Sequence, residues 1–136
     1  MFQLHERLQA DTVLVAEFPL SLVLLSKDAN YPWVILVPKR PNIEEIYQLN
    51  REDRQQLLHE SCVLAETMTA LFNPAKLNIA TIGNMVPQLH VHHVARFSND
   101  GAWPGPVWGA HPAASYNKEK LASLVGELQA ALPDCK

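Results

Sequence analysis

One amphipathic helix constrains this chain more than any other feature. Asn50-Arg51-Glu52-Asp53 reads as a helix-capping sequence, with acidic residues entering the first turn. Leu57, Ser61, Leu64, Ala65, Met68, Leu71 and Phe72 then recur at helical spacing, and Pro74 stops the run. A helix with a single apolar stripe must bury it against something, and the segments on both sides of it read as strands. The expected fold is therefore α+β, with an antiparallel sheet, one long helix packed across it and short flanking helices. His59 and Glu60 fall off the stripe. Cys62 lies just off it and reads as a packed, inert thiol.

The strands follow from β-branched and apolar runs cut by turn residues. Phe2 to Ala10 suits a short helix. Thr12 to Phe18 reads as a strand ended by Pro19, and Leu20 to Leu25 as a second that is apolar throughout and so buried on both faces. Lys27-Asp28-Ala29-Asn30-Tyr31-Pro32 is a turn. Trp33 to Val37 is the third strand, which makes a hairpin and an antiparallel sheet. Asn42 to Leu49 suggests one or two helical turns, and Lys76 to Ile82 a fourth strand. The basic Lys39-Arg40-Pro41 reads as a solvated strand end. Asn117 or Ser115 can cap a last helix carrying Leu121, Leu124, Val125 and Leu128 on one face.

With 136 residues, 48% of them hydrophobic, the chain is expected to form a single domain over residues 1–136 with one ordinary core. A net charge of −3 without a long basic run argues against nucleic acid or a membrane surface as partner. No apolar run approaches the roughly 20 residues that span a bilayer. The N-terminal residues show no signal-peptide pattern. Two cysteines, Cys62 and Cys135, suit free thiols in a reducing compartment, so a cytoplasmic location is expected.

The chemistry points to Gly83–Arg96, which holds three of the six histidines. From Gln88 to His92 polar and apolar residues alternate, which is the period of a strand. Gln88, His90 and His92 then share a face, with Leu89, Val91 and His93 on the other. Neighbours on one strand face stand roughly 6.6 Å apart. Two imidazoles at that spacing can flank a small anion or grip a metal ion. His93, facing the other way, reads as packed or solvated.

This stretch resembles the signature of the histidine triad (HIT) superfamily, in which three alternating histidines precede a Pro-Arg or similar pair. Aligned through Ala95-Arg96, His90 falls on the middle histidine and His92 on the third, while Gln88 stands where the first should be. Gly83-Asn84 resembles the Gly-Gln that precedes the triad. The chain is similar to a bacterial branch that reads Gln-φ-His-φ-His and also carries Trp103-Pro104-Gly105-Pro106-Val107-Trp108-Gly109. The resemblance runs from about Leu20 to Gly109.

The resemblance implies a nucleotide hydrolase or transferase acting at an α-phosphate, on dinucleoside polyphosphates or nucleoside phosphoramidates. It makes His90 the nucleophile of a phosphohistidine intermediate, its second ring nitrogen oriented by a backbone carbonyl, and His92 a hydrogen-bond donor to phosphate or leaving group. Gln88 would sit beside His90 or the leaving group without a proton to exchange. Gly83, Asn84 and Asn78 are candidates for the phosphate oxygens, Ser26 or Asp28 for the ribose, and Trp33 for stacking on a base or anchoring the core. The family needs no metal or other cofactor for this, and without a Cys-x-x-Cys no structural zinc is expected. Partners implied are a nucleotide substrate and a second copy of the chain, giving a homodimer joined at sheet edges. Two other readings stay open: a non-catalytic nucleotide-binding module with a degraded site, or a metal site built on His90-x-His92 with a third ligand from elsewhere.

Overall fold

The computed structural model describes residues 1–134; the thiol expected at Cys135 lies outside the described residues. The elements run α1 (Glu6–Asp11), β1 (Thr12–Glu17), β2 (Ser21–Ser26), β3 (Trp33–Pro38), α2 (Arg51–Phe72), β4 (Lys76–Ala80), β5 (Val91–Arg96) and α3 (Lys118–Ala131). The five strands form one antiparallel sheet in the order β1-β2-β3-β5-β4. This is the expected α+β architecture, with the long helix α2 on one face of the sheet.

Helix α2 forms as its sequence directs. The Asn50 side chain accepts a hydrogen bond from Asp53 N at 2.8 Å, which caps the first turn. The helix ends at Asn73, held in the left-handed region with φ 47°, just before Pro74. Leu57, Leu64 and Met68 pack on the sheet with Val23, Leu25, Val34, Leu36, Val91 and Ala95. Helix α3 is capped by Asn117 and adds Leu128 to the same core. Strand β2 is buried on both faces, because α1 and the N-terminal residues cover the other side. There Leu8, Leu24, Ile35 and Val37 form a second cluster with Phe2 and Leu4.

Some local expectations differ from what the chain does. Glu60, off the apolar stripe, is fully buried: its Oε2 accepts from Leu20 N and from Gln56 Nε2, both at 2.8 Å, so the carboxylate ties α2 to the start of β2. Cys62 is exposed rather than packed. Between Asn42 and Leu49 only a 3-10 turn forms, at Ile46–Gln48, and Asn42 itself adopts φ 59°, which no right-handed helix contains. Helix α1 begins at Glu6 rather than near Phe2, because the backbone of Gln3 and His5 is bonded to a distant side chain described below. Among the described residues no helix is long and apolar enough to cross a membrane.

Candidate active site

Strand β5 carries the site, with opposite fates for adjacent residues. In its ladder Ile35 faces His92 and Trp33 faces Val94, so His92 lies on the sheet face away from α2. His93 points into the α2 side, fully buried, with Ser61 Oγ 2.7 Å from its Nε2 and its Nδ1 3.1 Å from the Val91 carbonyl. Burial pushes the pKa of His93 down to about 4, against the opposing effect of backbone hydrogen bonds at Val91 and Val34.

The strand starts later than the alternation suggests. β4 stops at Ala80 and β5 begins at Val91, so residues 81–90 form a loop and Gln88–His90 stand outside the ladder. Pro87 has no N–H to donate to a ladder, and Leu89 N bonds instead to the carbonyl of Ile43 at 2.9 Å. Gly83 lies in the tight part of this loop, where a Cβ would stand 3.2 Å from the Val86 carbonyl oxygen.

His90 and His92 nonetheless meet. Their ring centroids are 4.8 Å apart at 77°. His90 Nδ1 lies 2.7 Å from the carbonyl oxygen of Gln88. A carbonyl only accepts, so Nδ1 carries a proton, and in the neutral ring Nε2 keeps its lone pair free. On His92 the assignment is reversed. The Trp33 indole N–H donates to His92 Nδ1 at 2.9 Å, which leaves the His92 proton on Nε2. Burial, then the neighbouring His90 and His93, push the His92 pKa down to about 3, so the ring is neutral at neutral pH. A nucleophilic nitrogen and a hydrogen-bond donor thus stand side by side.

Two clefts meet at His90. The larger, about 420 Å³, is lined by Ser26, Asp28, Trp33, Ile35, His90 and His92, and its outer wall is Ala113–Ser115. The smaller, about 190 Å³, is lined by Gly83, Asn84, Gln88, His90, Glu44 and Glu45. The sequence candidates are therefore divided. Ser26, Asp28 and Trp33 line the large cleft and Gly83 and Asn84 the small one. One oxygen of Asp28 already accepts from Asn30 N at 3.0 Å and Ala114 N at 3.2 Å, pinning the outer wall to the β2–β3 turn.

Two candidates are turned elsewhere. Asn78 does not reach His90: its Oδ1 accepts from Arg96 Nη1 at 2.8 Å, toward the other end of β5. Gln88 shares the neighbourhood of His90, but its amide is closed on the N-terminal segment. Its Oε1 accepts from His5 N and its Nε2 donates to Gln3 O, both at 2.9 Å. The amide expected beside His90 or the leaving group is thus spent on backbone, because residues 81–90 leave the strand and the face they would share no longer holds.

Two other contributors, Trp108 and Asp100, were not among the candidate site residues. Trp108, from the Trp103–Gly109 segment, packs edge-on against His92 at 5.3 Å and Trp33 at 5.8 Å, walling the His92 ring from the side. The loop bearing it is set by Asp100, which takes both Arg96 Nε and Nη2 and the backbone N–H groups of Phe97, Ala102 and Trp103. The Arg96 guanidinium holds the Asp100 carboxyl well below the usual carboxylate range. The segment stood out in the sequence through its resemblance to the bacterial branch; its contact with His92 depends on long-range packing.

Comparison with known proteins places this architecture. The sequence matches the HIT domain family over residues 7–99, more than half of the chain. The chain belongs to the HIT family. This HIT protein is similar to a histidine triad protein from Marinobacter aquaeolei VT8, at 54% identity and a TM-score of 0.95 over 97% of this chain and 96% of that one. It is similar to a histidine triad protein from Bradyrhizobium japonicum at 41% identity and a TM-score of 0.95, covering 97% and 98%. A third HIT protein, from Sinorhizobium meliloti 1021, shares 36% identity with a TM-score of 0.93, covering 96% and 97%. A search of curated proteins found no match. HIT membership supports a nucleotide-binding, hydrolase or transferase kind of activity.

Proposed function

We propose that this HIT protein acts at the α-phosphate of a nucleotide, through a covalent phosphohistidine intermediate on His90. The observation that carries the reading is the unlike partner at each Nδ1, a carbonyl oxygen at His90 and an indole N–H at His92, which in neutral rings leaves Nε2 a lone pair on the first and a donor on the second. In the first step His90 Nε2 attacks the α-phosphorus, and the bond to the leaving group breaks with its electron pair. The positive charge gained by the imidazole is stabilised by the Gln88 carbonyl at Nδ1. His92 donates from Nε2 to the phosphate or leaving group as charge develops there. Water then attacks the phosphorus, releasing the nucleoside monophosphate and restoring His90.

The larger cleft supports a nucleoside as the bound portion. Its volume of about 420 Å³ falls within the ~300–1,000 Å³ range of small-molecule sites. Ser26 and Asp28 would meet the ribose, and Trp33 and Ile35 the apolar part. Gly83 and Asn84 would face the phosphate side. Gln88 supports the site from behind by holding the N-terminal segment. The same reading takes the protein as cytoplasmic, as a single domain and as a homodimer.

Gln88 favours one competing reading, a nucleotide-binding module without turnover, since the residue at the first triad position has no proton to exchange. Mixing the protein with dinucleoside polyphosphates and nucleoside phosphoramidates separates the two. Turnover, with a nucleoside monophosphate adduct on the His90 peptide after rapid quench at alkaline pH, is expected. AMP binding by calorimetry with no turnover of either substrate class would establish the binding module instead. For the metal reading, each histidine already commits Nδ1, and no group of three or more potential ligands gathers among the described residues. Chelation by EDTA is expected to leave turnover unchanged; loss restored by zinc would favour a metal site.

A further inference from the structure

Trp33 stands at the start of β3, opposite Val94 and two ladder positions from the Ile35–His92 pair, on the same sheet face. Its indole N–H points at His92 Nδ1, at 2.9 Å. Indole is a donor only, and it cannot turn to accept. The nitrogen it meets must therefore be unprotonated, whichever way the rest of the site is arranged. Tyr31 and Trp108 pack edge-on against the Trp33 ring at 6.5 and 5.8 Å, which fixes its plane. Trp108 also flanks His92 itself.

A free neutral imidazole exchanges between two tautomers. On His92 the Nδ1–H form would set two N–H groups against each other across the contact with Trp33, and the Nε2–H form makes the hydrogen bond. We infer that Trp33 is a positioning residue: its indole N–H locks His92 in the Nε2–H tautomer, so that the ring always presents a proton to the cleft it shares with His90. The two histidines are thus set by unlike partners, a backbone carbonyl for His90 and an indole N–H for His92. One ring is fixed as lone pair and the other as donor. The titratable groups against His92 are His90 and His93, on its own chain segment; Trp33 and Trp108 cover its other sides. The catalytic consequence rests on the function proposed above, whereas the lock itself does not.

The test reads the hydrogen bond directly. In 15N-labelled protein, long-range correlation spectra of the histidine rings are expected to show His92 with unprotonated Nδ1 and protonated Nε2. A scalar coupling across the N–H···N bond to Trp33 should accompany them. A wild-type His92 protonated at Nδ1 would overturn the inference. Trp33→Phe removes the donor, and replacing Trp33 alone by β-(3-benzothienyl)alanine removes it while keeping the shape, in case the smaller ring disturbs the fold. A single hydrogen bond biases such an equilibrium roughly tenfold, so the Nδ1–H population should rise by about that factor in the isostere. An unchanged tautomer ratio there would also overturn the inference. Under the proposed function kcat falls in the isostere, which keeps the apolar surface Trp33 offers the ligand, while KM changes little there. A shifted tautomer with undiminished kcat would leave the lock standing and remove the donor role of His92 from the proposed mechanism.

Discussion

The backbone N–H of His5 donates to the side-chain oxygen of Gln88 at 2.9 Å, across 83 residues of sequence. The other end of the same amide donates to the carbonyl of Gln3. The residue at the first position of the triad therefore latches the chain's beginning to the loop that presents His90. The carbonyl of this same residue accepts from His90 Nδ1, so the latch and the orientation of the His90 ring share one residue.

Cutting that latch should be felt at the N-terminus first. Gln88→Ala removes two partly exposed hydrogen bonds and is expected to cost about 1–2 kcal/mol of stability. The His5 amide should exchange with solvent markedly faster. Hydrogen exchange and urea unfolding measure both; an unchanged His5 amide would show that the latch is not closed in solution. Since the amide is committed to backbone, Gln88→Leu should leave the relative preference for polyphosphate over phosphoramidate leaving groups unchanged, as judged by kcat/KM for each.

His90 and His93 lie three residues apart and should respond in opposite ways. His90→Ala is expected to abolish turnover and leave the unfolding transition nearly where it was. His93→Ala empties a fully buried site and strips Ser61 of its partner, for a loss of about 2–4 kcal/mol. Turnover per folded molecule should survive it. Thermal unfolding beside a turnover assay decides the matter, and equal loss of turnover in two folded variants would contradict the assigned faces.

Stability should fall on mild acidification. His92 and His93 have folded pKa values pushed down to about 3 and about 4, from the ordinary 6.5. Below 6.5 the unfolded chain binds protons that the folded chain refuses, so protonation favours unfolding. The stabilising contribution is full above pH 6.5 and is lost as pH falls toward the folded values. Each such proton contributes a slope of about 1.4 kcal/mol per pH unit. Urea unfolding at intervals from pH 7.5 to 4.5 should show this decline, and a flat profile would mean that both rings ionise freely in the folded protein.

Association is the fourth expectation. β1 and β4 are the edges of the sheet, and β4 exposes Ile79 at its free side. Light scattering should give twice the 15.2 kDa of one chain at micromolar concentration. Charge placed at Ile79 should shift the mass toward one chain if β4 is the joined edge.

Much of this was legible in the sequence because it depends on short-range periodicity. Asn50, the apolar run to Phe72 and Pro74 delimit α2, and the period of two separates His92 from His93. What escaped is tertiary. Glu60 is polar and off the stripe, yet buried, because Leu20 N needs an acceptor there. Asn78 was a candidate for the phosphate and Gln88 for the neighbourhood of His90 or the leaving group, but each side chain is taken by a partner far along the chain, Arg96 in one case and Gln3–His5 in the other. The resemblance offered Trp33 for a base or for the core, whereas its donation to His92 depends on the orientation of one N–H.

The outer wall of the large cleft consists of Ala113–Ser115, held by backbone pairing of Ala29 N with Ala114 O and by Asp28. Those residues and Trp108 lie beyond residue 99, where the match to the family ends. The paired histidines and the outer wall of the large cleft therefore come from different stretches of chain. Exchanging residues 113–115 alone between relatives would change the lock's wards and keep its bolt, whereas an exchange that included Trp108 would also reach the His92 ring it packs against.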